Sequence, residues 1–215
     1  MRYGKRTLII YIIILIFPAS LYAGLSGEIA ASVGGAYMQK DFLSYDGPGG
    51  MFELRGAISL NSVPYLSLCG DISVTGFGIG SLSYNFGSPP YYIPTIRSTN
   101  QSLYSGHFGL QIATASRTNV VRPHAAIGAG FYQFRQEDSY GFSLNGIWDS
   151  SDDAIRDQSC LGFRFRAGSD FFVYKRFGLT CDIVYDKILG YTEGSSDLDI
   201  HLVGFAIGAV WQFGK

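Results

Sequence analysis

Helical periodicity, long apolar runs and an excess of charge of one sign are all scarce in this 215-residue chain. The formal net charge is −1, from 16 basic and 17 acidic residues, so no electrostatic argument favours a nucleic-acid partner. The three cysteines, Cys69, Cys160 and Cys181, do not have the spacing of zinc ligands. We therefore expect three unpaired thiols, no resident metal and no cofactor.

The N-terminal residues are typical of a secretory signal peptide. Three basic residues precede an apolar run over residues 8–17, which Pro18 ends, and small residues then lead to a cleavage position after Ala23. This run is much shorter than the about 20 apolar residues of a transmembrane helix. We predict a cleaved signal peptide over residues 1–23 and a single mature domain over residues 24–215.

The mature chain instead alternates apolar and polar residues with a period of two. The pattern is clearest over residues 159–186, where two runs put apolar side chains at nearly every second position: Leu161, Phe163, Phe165, Ala167 and Phe171, then Phe177, Leu179, Cys181, Ile183 and Tyr185. Successive side chains of a strand point to opposite faces, so the pattern predicts an antiparallel hairpin with one apolar face. A three-residue turn at 174–176 would place Arg164 opposite Asp186 and Gly168 opposite Asp182.

Eight segments of this kind follow one another. We predict strands over residues 27–38, 51–60, 65–77, 102–115, 123–134, 159–173, 177–186 and 198–213. The connections after the second, fourth and sixth strands are short, whereas residues 39–50, 78–101, 135–158 and 187–197 form long ones; as an alternative, residues 78–86 prolong the third strand. Antiparallel strands put all long connections at one end, so one rim of the sheet carries long loops. The other rim carries short turns and both termini.

Two architectures fit eight alternating strands, a soluble barrel with an apolar core and a membrane barrel with an apolar exterior. The lumen of an eight-stranded barrel is just wide enough to be filled by side chains, and the many Phe, Leu, Ile and Tyr residues of the apolar faces would crowd it. The opposite faces carry glycines beside a few charges, which suits a narrow interior. We predict an all-β, eight-stranded antiparallel up-and-down transmembrane β-barrel, with an apolar lipid-facing exterior and a polar plugged lumen.

At this point the chain resembles the small eight-stranded outer-membrane β-barrels of the OmpA/OmpX kind. The resemblance lies in the signal peptide, the eight alternating segments, the run at residues 122–130 and the aromatic-rich final strand that ends near Phe213. It implies a monomer in the bacterial outer membrane with both termini in the periplasm. It also implies contact with outer-membrane lipid or lipopolysaccharide, and the barrel-assembly machinery as a partner during biogenesis.

The charged residues of the inward faces are the most informative polar set. They are Glu53, Arg55, Asp71, Arg164, Arg166, Asp170, Asp182 and Asp186. A buried charge must be paired, because an isolated one is expensive to remove from water. We expect these residues to form a structural ionic network that plugs the lumen; an ion pathway is the alternative.

Other polar residues give weaker indications. His107 and Ser105 share an inward face, and we expect a structural histidine there, so neither is assigned as catalytic. The acidic run at residues 149–153 is expected to be a solvated loop, not a cation site. The predicted role is structural or a surface interaction, such as adhesion to an extracellular ligand, through the long loops. A lipid-modifying enzyme and a narrow diffusion channel are the alternatives.

Overall fold

Eight antiparallel strands close into one barrel in the computed structural model, which describes residues 26–40, 48–60, 63–86, 93–114, 120–144, 147–193 and 196–214. The strands are β1 (Gly27–Lys40), β2 (Pro48–Leu60), β3 (Val63–Phe86), β4 (Ile93–Ala113), β5 (Val121–Leu144), β6 (Ile147–Tyr174), β7 (Phe177–Glu193) and β8 (Ser196–Phe213). Each strand pairs with the next, and β8 closes on β1. The predicted eight-stranded barrel is confirmed, while the predicted signal peptide lies outside the described residues.

Most of the predicted long connections are strands. Within the described residues, the parts of these connections at 78–86, 93–101, 135–144, 147–158, 187–193 and 196–197 continue the flanking strands, so that β5 runs to Leu144 and β6 begins at Ile147. The loop prediction is wrong there because polar side chains do not prevent a strand whose backbone groups are paired by its neighbours. The strands therefore extend furthest at the rim without the termini, which we call the upper rim; the rim with the termini is the lower rim.

The β6–β7 hairpin has the register expected from the sequence, by a different turn. Arg164 lies opposite Asp186 and Gly168 opposite Asp182. The turn itself has two residues, at 175–176, not three. An irregularity in the pairing after Phe172 supplies the extra residue, which restores the register in the body of the hairpin.

The outer wall of the barrel is apolar. Among the described residues, 28 large hydrophobic side chains are between 37% and 81% exposed, and in the body of the barrel they occupy alternate positions of their strands. Exposed apolar surface of this extent marks a contact with lipid or protein. Phe213, which the alternation places on the outer wall, is only 5% exposed because its ring packs over Gly27 at the lower rim. No helix in the described ranges is long and apolar enough to span a membrane.

The lumen has a polar middle and apolar ends. Buried charged and polar side chains occupy the middle, as predicted. Toward the upper rim an apolar cluster follows: Ala36, Met38, Met51, Phe77, Leu103, Tyr132, Phe134, Cys160, Ile188, Ile200, Leu202 and Ala206. A smaller group, Ala30, Phe172 and Val210, lies nearer the lower rim. The sequence analysis missed both, and both restrict the access of water to the polar middle.

Two inward glycines show why this lumen needs small residues. A Cβ added to Gly168 would overlap the Oδ1 atom of Asp182, and one added to Gly162 would lie 2.8 Å from the ring of Tyr132. Each glycine therefore makes room for a larger polar side chain of a neighbouring strand. The three cysteines are unpaired, with Cys69 and Cys160 buried.

Candidate functional site in the barrel lumen

Ionisable side chains fill the middle of the lumen in two tiers. The lower tier, nearer the lower rim, consists of Glu28, Arg55, Arg122, His124, Asp170 and Asp182. The upper tier consists of Glu53, Asp71, His107, Arg164, Arg166 and Asp186. Each of these residues occupies an inward position of its strand, so alternation directs them all into the lumen, and the stagger of the strands sets which of them meet. Every ion pair that the described strands show among them joins two members of the same tier.

Arg164 on β6 is the centre of the upper tier. Its Nε and Nη2 atoms donate to the two carboxylate oxygens of Asp186, each at 2.7 Å. Its Nη1 atom donates to Oε2 of Glu53 at 3.0 Å and to Oδ1 of Asp71 at 2.6 Å. One guanidinium thus connects carboxylates from three strands, and the two-point pair with Asp186 fixes its orientation.

Arg166 and His107 complete the upper tier. The Nη2 atom of Arg166 donates to Oε2 of Glu53 at 2.6 Å and lies 3.5 Å from Oδ2 of Asp71. The Nδ1 atom of His107 lies 2.7 Å from Oδ1 of Asp71, and its ring packs edge-on against Tyr132 with 4.9 Å between ring centroids. Asp71 is therefore shared between two arginines and a histidine.

Arg55 and Arg122 hold the carboxylates of the lower tier. Arg55 donates to Asp170 at 3.3 Å and to Asp182 at 3.4 Å, and it lies 3.9 Å from Glu28. Arg122 donates to the other oxygen of Glu28. The contacts of Arg55 are longer than those of Arg164, so Arg55 holds its carboxylates more loosely.

His124 lies between two carboxylates of the lower tier. Its Nε2 atom is 2.7 Å from Oδ1 of Asp182, and its Nδ1 atom is 3.5 Å from Oδ2 of Asp170. The same Nε2 atom is 2.8 Å from Nη1 of Arg55. The imidazole is 4% exposed, so these groups and not water determine its hydrogen bonding.

All eight residues named from the sequence lie in the two tiers, and four further members were missed: Glu28, Arg122, His107 and His124. Glu28 and His124 have inward parity in the predicted strands, so the alternation could have found them. Arg122 was missed because it was assigned to the connection before the fifth strand, whereas β5 begins at Val121. His107 was expected to be structural but was not included in the network.

The geometry around Ser105 is not that of an activated nucleophile. Its hydroxyl lies 2.6 Å from that of Ser73 and 3.4 Å from Nη2 of Arg164. The nearby imidazole of His107 is hydrogen-bonded to Asp71 instead. Activation requires the base to contact the hydroxyl, and His107 and Ser105 share no hydrogen bond in the described structure.

Neither metal coordination nor a wide passage is built into the described lumen. No group of three or more ligating side chains with metal geometry occurs within the described ranges. The acidic run at residues 149–153 was predicted to be a solvated loop, but it forms part of strand β6. A cavity of about 10 Å³ lies beside Asp71, His107 and Arg166. This volume is near the minimum for one water molecule, so side chains fill the lumen at this level.

No protein-family model and no curated protein sequence matches the chain. Solved structures do: Ail, the attachment invasion locus protein of Yersinia pestis, in complex with the heparin analogue sucrose octasulfate, has 16% identity and a TM-score of 0.47, over 86% of this chain and 99% of that one. Neisserial surface protein A has 14% identity and a TM-score of 0.47, over 88% and 97%. A major outer membrane protein from Thermus thermophilus has 10% identity and a TM-score of 0.48, over 87% and 99%.

These neighbours are small outer-membrane barrels, as the resemblance in the sequence implied. With identities and TM-scores this low, nothing about the location, binding or activity of this chain is inferred from these likenesses.

Proposed function

We propose that the protein is an integral β-barrel of the bacterial outer membrane, with a plugged lumen and a structural or surface-binding role. The observation that supports this most is the inverted distribution of residues, with 28 exposed large hydrophobic side chains on described residues and an interior rich in buried charge. Water would favour the opposite arrangement. Lipid favours this one, because a closed barrel pairs its backbone groups and presents an apolar wall.

The two tiers favour a plug over a channel. An ion that crossed the lumen would have to separate arginines from carboxylates at 2.6–3.4 Å and then pass the apolar cluster at the upper rim. Breaking a buried ion pair leaves uncompensated charge and is strongly unfavourable. Planar bilayers that contain the purified barrel should therefore show no conductance steps, and regular steps would favour the diffusion channel instead.

The extension of the strands at the upper rim supports the surface-binding role. Pairing continues along β3 and β4 to Phe86 and Ile93, and along β5 and β6 to Leu144 and Ile147. Within the described strands, the backbone pairing of β6 with β7 begins at Leu161, and the side chain of Gln158 still contacts Gly190 of β7. Above Gln158 the described part of β6 pairs with β5 alone and presents a sheet edge. Such an edge can pair with an extended segment of another molecule, and residues 149–157 of β6 are rich in Asp.

Labelling of intact cells tests the location and orientation. In a variant with the three native cysteines replaced by alanine, Gly141→Cys at the upper extension should react with a membrane-impermeant maleimide. The matched variant Arg176→Cys, in the lower-rim turn, should react only after the outer membrane is permeabilised. Labelling of Arg176→Cys alone in intact cells would reverse the orientation, and labelling of neither variant would contradict the location.

A further inference from the structure

The two tiers have the same charge balance, and neither is electrically neutral without an added proton. Each contains two guanidinium groups and three carboxylates, which leaves one negative charge in excess. Each also contains one histidine within 2.7 Å of a carboxylate oxygen. A proton on each of these two histidines would bring both tiers to zero.

We propose that the folded barrel binds two protons in its lumen, one on His107 in the upper tier and one on His124 in the lower tier. Both imidazoles then carry protons on Nδ1 and on Nε2. The proposal rests on the closed lumen of the proposed function, and it does not depend on any surface ligand. Burial supports it, because His107 and His124 are 7% and 4% exposed and an excess carboxylate charge among them lacks water to solvate it. A proton on a carboxyl group, such as that of Glu53, is the alternative, and it would leave the imidazoles neutral.

In the upper tier the hydrogen bonding of His107 fits a cation. An ionised carboxylate only accepts, so the 2.7 Å contact with Oδ1 of Asp71 requires a proton on Nδ1. Among the described residues the Nε2 atom of His107 has no protein partner, and His107 lines the 10 Å³ cavity. A single water there would accept the second proton of an imidazolium.

In the lower tier the geometry of His124 gives the same assignment. Its Nε2 atom faces both Oδ1 of Asp182 and Nη1 of Arg55 and can serve only one of them. Arg55 only donates and has acceptors on Asp170 and Asp182, whereas Oδ1 of Asp182 needs a donor. The Nδ1 atom and Oδ2 of Asp170 lie 3.5 Å apart, and neither has another hydrogen-bond partner. A neutral imidazole that accepts from Nη1 of Arg55 through Nε2 would leave Oδ1 of Asp182 without a donor. Protons on both ring nitrogens satisfy both carboxylates and direct Nη1 of Arg55 to Oδ2 of Asp182.

Within the described strands, the ionisable groups around each histidine include no further cation that could neutralise the excess negative charge. Around His107 the ionisable groups are Glu53 of β2, Cys69 and Asp71 of β3, Tyr132 of β5, Arg164 and Arg166 of β6, and Asp186 of β7. Around His124 they are Glu28 of β1, Arg55 of β2, Arg122 of β5, Asp170 of β6 and Asp182 of β7. The third histidine, His201, is bound to Tyr185 outside both tiers.

Nitrogen-15 NMR of the imidazoles, on wild-type barrel in lipid bilayers at pH 7.5, tests the charge state directly. His107→Gln, His124→Gln and His201→Gln assign the three sets of signals. We expect the two lumen histidines to show both nitrogens protonated. A neutral imidazole at either position overturns the proposal for that tier, whether or not the barrel conducts.

The pH dependence of unfolding counts the protons independently, in the background without cysteines. Above pH 7.5 the imidazoles of the unfolded chain are largely neutral, so folding takes up two protons and stability falls as pH rises. The unfolding constant should increase by close to 100-fold per pH unit between pH 7.5 and 8.5, and by about tenfold in His124→Gln. His201→Gln, the matched control, should keep the wild-type slope. A pH-independent unfolding constant in the parent barrel overturns the proposal.

A compensating variant separates charge from packing. His124→Gln leaves the lower tier with an excess negative charge, and adding Asp182→Asn removes it. The double variant should fold in higher yield than His124→Gln and keep the tenfold slope, whereas a yield no better than that of His124→Gln would show that charge balance is not what the histidine supplies.

Discussion

The pair of Arg164 and Asp186 gives the sharpest test of the ionic network. Asp186 contacts one guanidinium, whereas Arg164 contacts Asp186, Glu53 and Asp71 at 2.6–3.0 Å. Removal of one partner of a buried pair costs about 3–5 kcal/mol, since it leaves an uncompensated charge. We expect Arg164→Met at the upper end of this range and Asp186→Leu, which leaves Arg164 two other carboxylates, at the lower end.

The double variant should recover part of the loss, with a coupling energy of about 0.5–3 kcal/mol. Recovery is incomplete because Glu53 and Asp71 still lack Arg164. The assay is urea unfolding of the barrel in lipid vesicles for wild type, both single variants and the double variant. Lys187 and Asp199 form the control pair, 3.3 Å apart with side chains 42% and 43% exposed. Their coupling should not exceed about 1 kcal/mol. Strict additivity for Arg164 and Asp186 would refute the buried network.

Three further predictions concern the wall, the packing of the lumen and the extension. Phe165→Arg, on the outer wall in the body of β6, should cost about 2–4 kcal/mol in vesicle unfolding, and Val173→Arg, near the lower-rim turn of the same strand, at most about 1; equal costs would contradict the assigned membrane depth. Gly168→Ala should lower the urea midpoint because its Cβ overlaps the opposite carboxylate, whereas Gly50→Ala, with open space around it, should not. Replacement of residues 140–151 by a two-residue turn should leave the midpoint unchanged, and a large drop would mean that the extension stabilises the barrel.

Alternation carried most of the fold prediction. In the body of the barrel each predicted strand has a crowded apolar face and a small polar one, and this fixes strand and face together. The register of Arg164 opposite Asp186 was predicted from the turn length, and it holds because the irregularity after Phe172 offsets the shorter turn. The same reasoning failed above the apolar outer wall. The sequence over residues 135–158 mixes polar and apolar residues without a sustained alternation, although the strands continue by backbone pairing over the described residues there.

The site was predicted in part for a related reason. Inward parity identifies a lumen residue, but it does not tell which residues of different strands meet at one height, because this depends on the stagger of the whole barrel. The division into two tiers, and the place of His124 between Asp170 and Asp182, needed the three-dimensional structure. The apolar cluster around Met38 and Leu202 was missed because its members, all except Ile188, lie on the inward faces of the predicted strands, which were assigned as polar from their charged and small residues.

Spin-label accessibility tests the inverted barrel most directly. In the background without cysteines, a nitroxide at Ile127→Cys, which is 50% exposed on the outer wall, should collide with oxygen dissolved in the bilayer and be protected from a water-soluble nickel chelate. A nitroxide at Val184→Cys, fully buried in the lumen, should be protected from the chelate as well. Collision of the chelate with the label at Ile127→Cys, at a rate above that of oxygen, would contradict an outer wall that faces lipid.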